Sequence, residues 1–244
     1  MMTASRLDQA LVERGLVASR QKAQALIRAG MVRLDSRPVD RVDVRVGAGA
    51  RLEVMAQPRF VSRGGDKLRG ALDLLAVSAD GRVCLDAGAS TGGFTDVLLQ
   101  DGARLVYAVD VGYGQLDWRL RQDDRVVVME RTNIRDVLRL PGETPDLAVG
   151  DLSFTALKRV VPAIRRLLAA PYELVLLLKP QFEVGRERIG KGGIVRDPRA
   201  RQDALDAFTA WAVADGLEVV CSVDSPLAGA RGNREIFVHL RGGA

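Results

Sequence analysis

Residues 83–96, VCLDAGASTGGFTD, constrain the fold more than any other stretch of this 244-residue chain. Val83, Cys84 and Leu85 form a short apolar run that Asp86 ends. Small residues with Gly88, Gly92 and Gly93 follow, and an apolar-periodic segment then begins at Phe94, Val97 and Leu98. That order predicts strand, tight turn and helix. Glycines in such a turn let a ligand press on bare backbone, and the unpaired N–H groups opening the helix attract polar or anionic groups. The spacing is Gly88-x-Ser90-x-x-Gly93. A dinucleotide fingerprint needs glycine where Ser90 stands, because pyrophosphate approaches the backbone there. A phosphate-binding P-loop needs a GK[ST] that is absent here. A cofactor with a ribose and no pyrophosphate fits better. A second run, Leu105–Asp110, ends in an acid 24 residues after Asp86, where a doubly wound fold places the carboxylate that bonds ribose hydroxyls.

The downstream pattern extends the same architecture. VVVME, DLAVGD and LVLLLK read as strands, a helix is expected over Ala156–Leu168, and Asp197-Pro198 opens another that runs to about Ala214. Strands alternating with helices imply a mostly parallel sheet covered on both faces. Leu217–Val223 and Ile236–Leu240 have only a loop between them and are expected to pair antiparallel. Upstream, RGGDKLRGALDLLAV is expected to open a helix after Gly64-Gly65, with Asp66 at its cap and Lys67 in its first turn.

Cys84 and Cys221 are the only cysteines, belong to no CxxC or Cys/His cluster, and are expected as buried thiols. The single histidine, His239, lies inside the apolar run IFVHL, which disfavours triad chemistry and a zinc site, so no metal is expected. The longest strongly apolar run, Leu174–Leu178, is far too short to span a membrane, and the charged start MMTASRLDQALVER lacks a signal-peptide core. These features read as a cytoplasmic protein without a membrane partner.

The net charge of +5 is unevenly placed: residues 1–60 hold 11 Lys/Arg against 6 Asp/Glu, and residues 61–244 hold 25 of each. A basic segment on a neutral body suits a polyanion. Ser5 is expected to cap a helix over Arg6–Arg14 ended by Gly15, and Ser19 a second one stopped by Gly30. Arg20, Gln24 and Arg28 then share a helix face with Lys22 nearby, and MVRLD, VDVRV and RLEVM supply short strands around the turn DSRP. Arg6, Arg20, Lys22, Arg28 and Arg33 are the candidate phosphate contacts of this segment, with Arg63 extending the track. The expected division is residues 1–55, a linker at 56–62, and 63–244.

Ligands of an open α/β sheet gather at the carboxyl ends of the strands. Asp151 and Lys179 end neighbouring strands there, beside Asp86 and Asp110. Only five lysines occur among 36 basic residues, and lysine, unlike arginine, can act as a base. Phe154 reads either as a stacking partner for cofactor or target base or as a core aromatic. Residues 190–193 (GKGG) read as a lid, a phosphate nest or a plain flexible loop.

DAGASTGGF followed by AVDVGYGQL resembles the S-adenosylmethionine site of the TlyA (haemolysin-A-like) ribosomal RNA methyltransferases. The resemblance implies that Asp86, Gly88, Ser90, Thr91 and Gly92 hold the methionine end, with Asp110 on the ribose, Asn133 near the adenine, and Asp151 bordering the cofactor. It also implies a Lys-Asp-Lys-Glu tetrad, as in FtsJ-like ribose methyltransferases, matched by Lys67 in SRGGDKL, Asp151 in GDLSF, Lys179 in KPQFEVG and Glu235 in GNREIFVHL. RLDQALVERGLVASRQKAQALIRAGMVRLDSRPV is similar to the S-four-type RNA-binding module. The implied fold is a Rossmann-like methyltransferase domain with an antiparallel last strand, preceded by a small α+β RNA-binding domain. The implied activity is methyl transfer from S-adenosylmethionine to a ribose 2′-hydroxyl, with cytidine the expected nucleoside and ribosomal RNA or a ribosomal subunit the partner. Lys179 would act on the hydroxyl as base or as a charge on the developing oxyanion. A membrane-active haemolysin and a non-catalytic ribosome-assembly factor are the competing readings.

Overall fold

The computed structural model describes residues 5–55 and 59–243, so part of the expected linker, residues 56–58, lies outside the described residues. The chain packs as two compact units, Met1–Pro58 and Arg59–Ala244.

The first unit runs β1 (Ser5–Arg6), α1 (Leu7–Glu13), α2 (Arg20–Arg28), β2 (Val32–Leu34), β3 (Arg37–Val39), β4 (Arg45–Val46) and β5 (Leu52–Val54). Leu7, Leu11, Ala23, Ile27 and Val32 interlock beneath the two helices. Strands β3, β2 and β5 form an antiparallel sheet, and β1 pairs with β4. Asp35 and Ser36 turn the β2–β3 hairpin with φ of 48° and 67°, a left-handed pair that asparagine and aspartate tolerate better than most residues. Ser19 caps α2, its side chain accepting from the Lys22 N–H at 3.3 Å. Ser5 does not cap α1. It pairs with Val46 in β1, and Arg6 occupies the cap position without a side-chain capping bond, because the chain entering the helix is already tied to β4.

The second unit runs α3 (Arg63–Leu75), β6 (Val83–Ala87), α4 (Gly93–Gln100), β7 (Leu105–Val109), α5 (Trp118–Arg121), β8 (Val126–Met129), β9 (Leu147–Gly150), α6 (Val161–Arg165), β10 (Tyr172–Leu178), α7 (Pro180–Glu183), α8 (Pro198–Ala214), β11 (Glu218–Asp224) and β12 (Ile236–Gly242). The sheet order is β11-β12-β10-β9-β6-β7-β8, with β12 antiparallel to both neighbours. The chain winds from β6 outward to β8 and then returns to the other side of β6, so the strand order reverses between β6 and β9. Crevices in open α/β sheets form at that reversal. Leu174, Leu176 and Leu178 face α6 and α8, whereas Val175 and Leu177 face α3 and α4, which is why the β10 run is apolar throughout.

Three local expectations change. Helix α3 begins at Arg63, with Gly64 and Gly65 inside its first turn. A Cβ on Gly65 would overlap the side chain of Phe60, so the glycine admits a close approach and does not break the helix. Phe60 is itself buried in this unit's core. The helix expected over Ala156–Leu168 is a 3₁₀ turn at Leu157–Arg159 followed by the short α6, because Pro162 lacks an N–H and restricts the residue before it. Cys84 is buried but Cys221 is exposed, since β11 forms the sheet edge and its outer face is uncovered.

Candidate active site

Four ionisable side chains converge above the carboxyl ends of β9 and β10. Lys179 follows β10 and starts α7, where Pro180 at the first helical position needs no N–H partner. Its Nζ lies 2.5 Å from Asp151 Oδ1 and donates to Ser153 Oγ at 2.9 Å. Lys67, from the first turn of α3, donates to Glu235 Oε2 at 2.5 Å. Lys67, Lys179 and Glu235 are each less than a tenth exposed. Each buried ammonium therefore needs its carboxylate, because an unpaired charge at such a position costs several kcal/mol. Room for the Glu235 carboxylate comes from Gly229, where a Cβ would overlap Glu235 Oε1.

These groups border three adjoining hollows. Lys67, Asp151 and Lys179 line one of about 300 Å³, together with Gly88, Ser90 and Thr91. A second, of about 540 Å³, takes in Asp110, Val111, Gln115 and Asn133 and shares Gly88, Ser90 and Asp151 with the first. A third, of about 370 Å³, is lined by Lys179 and Glu235 with Phe154, Phe182, Arg231 and Asn233. Ser153 borders all three, a position that no spacing in the sequence signals. Phe154 is no core aromatic: it is 89% exposed, has a φ of 64°, and packs its ring 5.5 Å from that of Phe182.

The cofactor-loop residues divide. Gly88, with φ of 90°, faces the cleft, and a Cβ there would lie 3.0 Å from the Asp151 carbonyl oxygen. Ser90 and Thr91 line the cleft. Asp110 holds the loop itself, accepting from the Ser90 N–H at 2.8 Å and the Gly112 N–H at 2.6 Å. Asn133 lines the second hollow while its side-chain oxygen accepts the Arg135 N–H. Gly92 and Asp86 border none of the three hollows. A Cβ on Gly92 would collide with the side chains of Leu120 and Leu116, so this glycine serves helix packing. Asp86 is fully buried beneath the turn, where Oδ2 accepts the Thr95 hydroxyl at 2.7 Å and Oδ1 has no partner. Burial pushes its carboxyl up against the pull of Thr95, and the charges of Asp151 and Asp110 add to the rise, to about 7.

In the first unit, Arg6 and Arg20 turn to Asp8, at 3.1 and 3.0 Å, and Gln24 joins them at 2.8 Å. Lys22, Arg28, Arg33 and Arg63 are exposed. Arg69, beside Lys67, pairs with Asp73 and Asp101. Among the described residues no cluster of three or more His, Cys, Asp or Glu is arranged to hold a metal.

Residues 60–242 match the FtsJ-like methyltransferase family and residues 5–52 match the S4 domain. The chain belongs to the FtsJ-like methyltransferases. It falls in their TlyA branch: it is 48% identical over 244 residues to the "16S/23S rRNA (cytidine-2'-O)-methyltransferase TlyA" of Mycobacterium tuberculosis, covering 99% of this chain and 91% of that protein. It is also 39% identical over 237 residues to a Brachyspira hyodysenteriae protein named "Hemolysin A", covering 96% and 99% of the two chains. A solved structure of a protein named as a hemolysin from Streptococcus thermophilus superposes with a TM-score of 0.75 at 41% identity, over 99% of this chain and 89% of that one. The methyltransferase's cofactor is S-adenosylmethionine, and its cleft suits that molecule on two counts. The Gly88 turn lines both the first and the second hollow and presents bare backbone to them. The carboxylates of Asp86, Asp110 and Asp151 crowd the same loop, and their combined negative field favours a ligand that carries positive charge.

Proposed function

We propose that this methyltransferase moves the methyl group of S-adenosylmethionine onto the 2′-hydroxyl of a cytidine ribose in ribosomal RNA. The observation that carries the reading is the convergence of two lysine–carboxylate pairs at the hollow that opens onto the cofactor cleft. Bound S-adenosylmethionine supplies an activated methyl on a sulfonium, so the protein's own task is to align the hydroxyl and help its proton leave. Lys179 is the group for that hydroxyl, as base or as the cation facing the developing oxyanion. Asp151 and Ser153 fix its Nζ, while Lys67, locked to Glu235, lines the same hollow. Gly88, Ser90 and Thr91 are assigned to the methionine end, Asp110 to the ribose and Asn133 to the adenine side. Asp86 and Gly92 are assigned to shaping the turn from below.

The first unit is assigned to RNA docking through Lys22, Arg28 and Arg33, with Arg6 and Arg20 held in place by Asp8 and still presenting donors to solvent. Tritium transfer from labelled cofactor to ribosomal RNA tests the assignment. Wild type labels the RNA at the 2′-oxygen, and Lys179→Ala loses about 10²- to 10⁴-fold in rate with cofactor affinity retained. Full activity in Lys179→Ala with cofactor bound would overturn the role of the lysine. The hemolysin names of relatives motivate a second, membrane-lytic reading, which dye release from liposomes by the pure protein decides. No described helix is long and apolar enough to cross a membrane.

A further inference from the structure

Residues 61–244 carry equal numbers of acidic and basic side chains, yet the charges are sorted across the sheet. At the end where the parallel strands begin, arginines meet acids: Arg82 with Asp146, Arg104 with Glu143, Arg125 with Asp123, and Arg241 with Glu173. At the opposite end, in the loops that follow β10 and join β11 to β12, Arg186, Lys191, Arg196, Arg231 and Arg234 are exposed and form no ion pair among the described residues. The acids close by in sequence are mostly engaged, Asp197 with Arg188 and Glu235 with Lys67, leaving Glu187 as the exposed exception.

One side chain draws these loops together. Asn233 is 3% exposed; its Nδ2 donates to the Gly193 carbonyl at 2.9 Å and its Oδ1 accepts the Val195 N–H at 2.9 Å. The 190–195 turn, closed by the Gly190–Ile194 bridge, is thereby tied to the 229–235 loop. The guanidinium groups lie over that turn: Arg231 Nη1 is 3.4 Å from where a Cβ on Gly193 would stand, and Arg196 Nη1 is 3.2 Å from the same point on Gly190. Between the loops opens the hollow that Lys179 and Glu235 border.

Like charges gathered with few free acids repel one another, and a buried amide that holds their loops together sustains that repulsion. We infer that the two loops form a phosphate clamp for the RNA strand, with Lys191, Arg196, Arg231 and Arg234 gripping the phosphates that flank the nucleotide presented to Lys179. Asn233 is the positioning residue that fastens the clamp. The methyltransferase unit thus binds RNA through its own basic rim, in addition to the basic first unit. This inference rests on RNA being the substrate. Phosphates are recognised here by charge, so the clamp supplies affinity and register and leaves the choice of base to other contacts.

The test uses the full chain and ribosomal RNA lacking the modification, with filter binding over roughly 50 to 200 mM salt and steady-state methyl transfer. Arg196→Gln/Arg231→Gln is compared with Arg104→Gln/Arg125→Gln, which removes the same charge from the other end of the sheet. The clamp variant is expected to bind RNA about tenfold or more weakly, with a salt slope lower by about one per lost contact, a raised KM for RNA and unchanged cofactor affinity. The control is expected to stay within about twofold of wild type. Asn233→Ala, which keeps every charge, is expected to raise the KM for RNA in the same direction. If it fails to fold, the charge variants still decide. Equal losses in clamp and control variants, or an unchanged salt slope in the clamp variant, would overturn the clamp. If wild-type protein neither binds nor methylates ribosomal RNA, the substrate reading itself fails; if it does both and the clamp variant matches it, only the clamp falls.

Discussion

Asp8 in the first unit and Asp86 in the second are both wholly buried carboxylates, and their surroundings treat them in opposite ways. Burial raises the Asp8 carboxyl, but Gln24, Arg20 and Arg6 all donate to it and together hold it well below the usual carboxylate range. Asp86 receives a side-chain donor from Thr95 alone, keeps one oxygen unpartnered, faces the charges of Asp151 and Asp110, and is driven up to about 7. A buried acid whose valences are filled is a structural knot that ties two helices together. One left short of partners beneath a glycine turn keeps an unmet hydrogen-bond valence and a raised carboxyl.

The largest expected effect comes from the pair that already has its partner inside the site. Lys67→Met strands Glu235 as a buried, uncompensated acid. It is expected to cost about 3–5 kcal/mol in denaturant unfolding of the second unit, together with a loss of methyl transfer beyond about 100-fold. A variant as stable and active as wild type would show that filled valences at these two residues do not matter.

Asp86→Asn sharpens the contrast directly. An aspartate whose folded-state value is raised from 3.8 to about 7 favours the protonated fold, so cofactor-free wild type is expected to lose stability as pH rises from about 4 to about 7, on the order of a few kcal/mol, and to stay low above that. The amide cannot ionise and removes this dependence, so thermal melts of the variant above pH 7 are expected to show a more stable cofactor-free protein. Calorimetry is expected to show weaker S-adenosylmethionine binding, by about tenfold. For wild type, cofactor affinity is expected to rise with pH through the same window, because the ionised acid suits a cationic ligand.

Asp8→Ala breaks the other side of the comparison. Its depressed carboxyl contributes stability above the unfolded value of 3.8, and that contribution is lost as pH falls through the lower folded value. The variant is expected to cost about 2–3 kcal/mol near neutrality, less than a fully buried pair because Arg6 and Arg20 reach solvent. It is also expected to flatten the acid limb of unfolding while leaving cofactor affinity unchanged. The smallest effect is assigned to Ser19→Ala, which removes the α2 cap at a cost of about 1 kcal/mol in thermal melts and leaves the second unit untouched.

The strands, the glycine turn and the antiparallel final pair were all legible in the chain, because apolar runs, turn residues and helix caps act over a few neighbouring positions. Tetrad residue types were legible through motif resemblance, though nothing local shows that Lys67 and Glu235, 168 positions apart, share a hydrogen bond. Glycines show how a small residue serves packing that the sequence does not reveal. Gly65, expected to precede its helix, lies inside the first turn and makes room for Phe60, while Gly92, expected as a ligand contact, also leaves room for Leu116 and Leu120. Net charge misled in the same way, since a sum over 61–244 erases a sorting that depends on which end of the sheet each arginine reaches.

Sequence by itself determined the order of elements, the parallel winding and the placing of acids and lysines at strand ends, since these follow from backbone preference and side-chain periodicity along the chain. Only the tertiary structure decided which carboxylates are filled and which are left wanting, which glycines line the cleft, and that Asn233 ties two loops together. Hydrogen-bond satisfaction and the electrostatics of burial depend on atoms brought together from distant parts of the chain, and no window of neighbouring residues contains them.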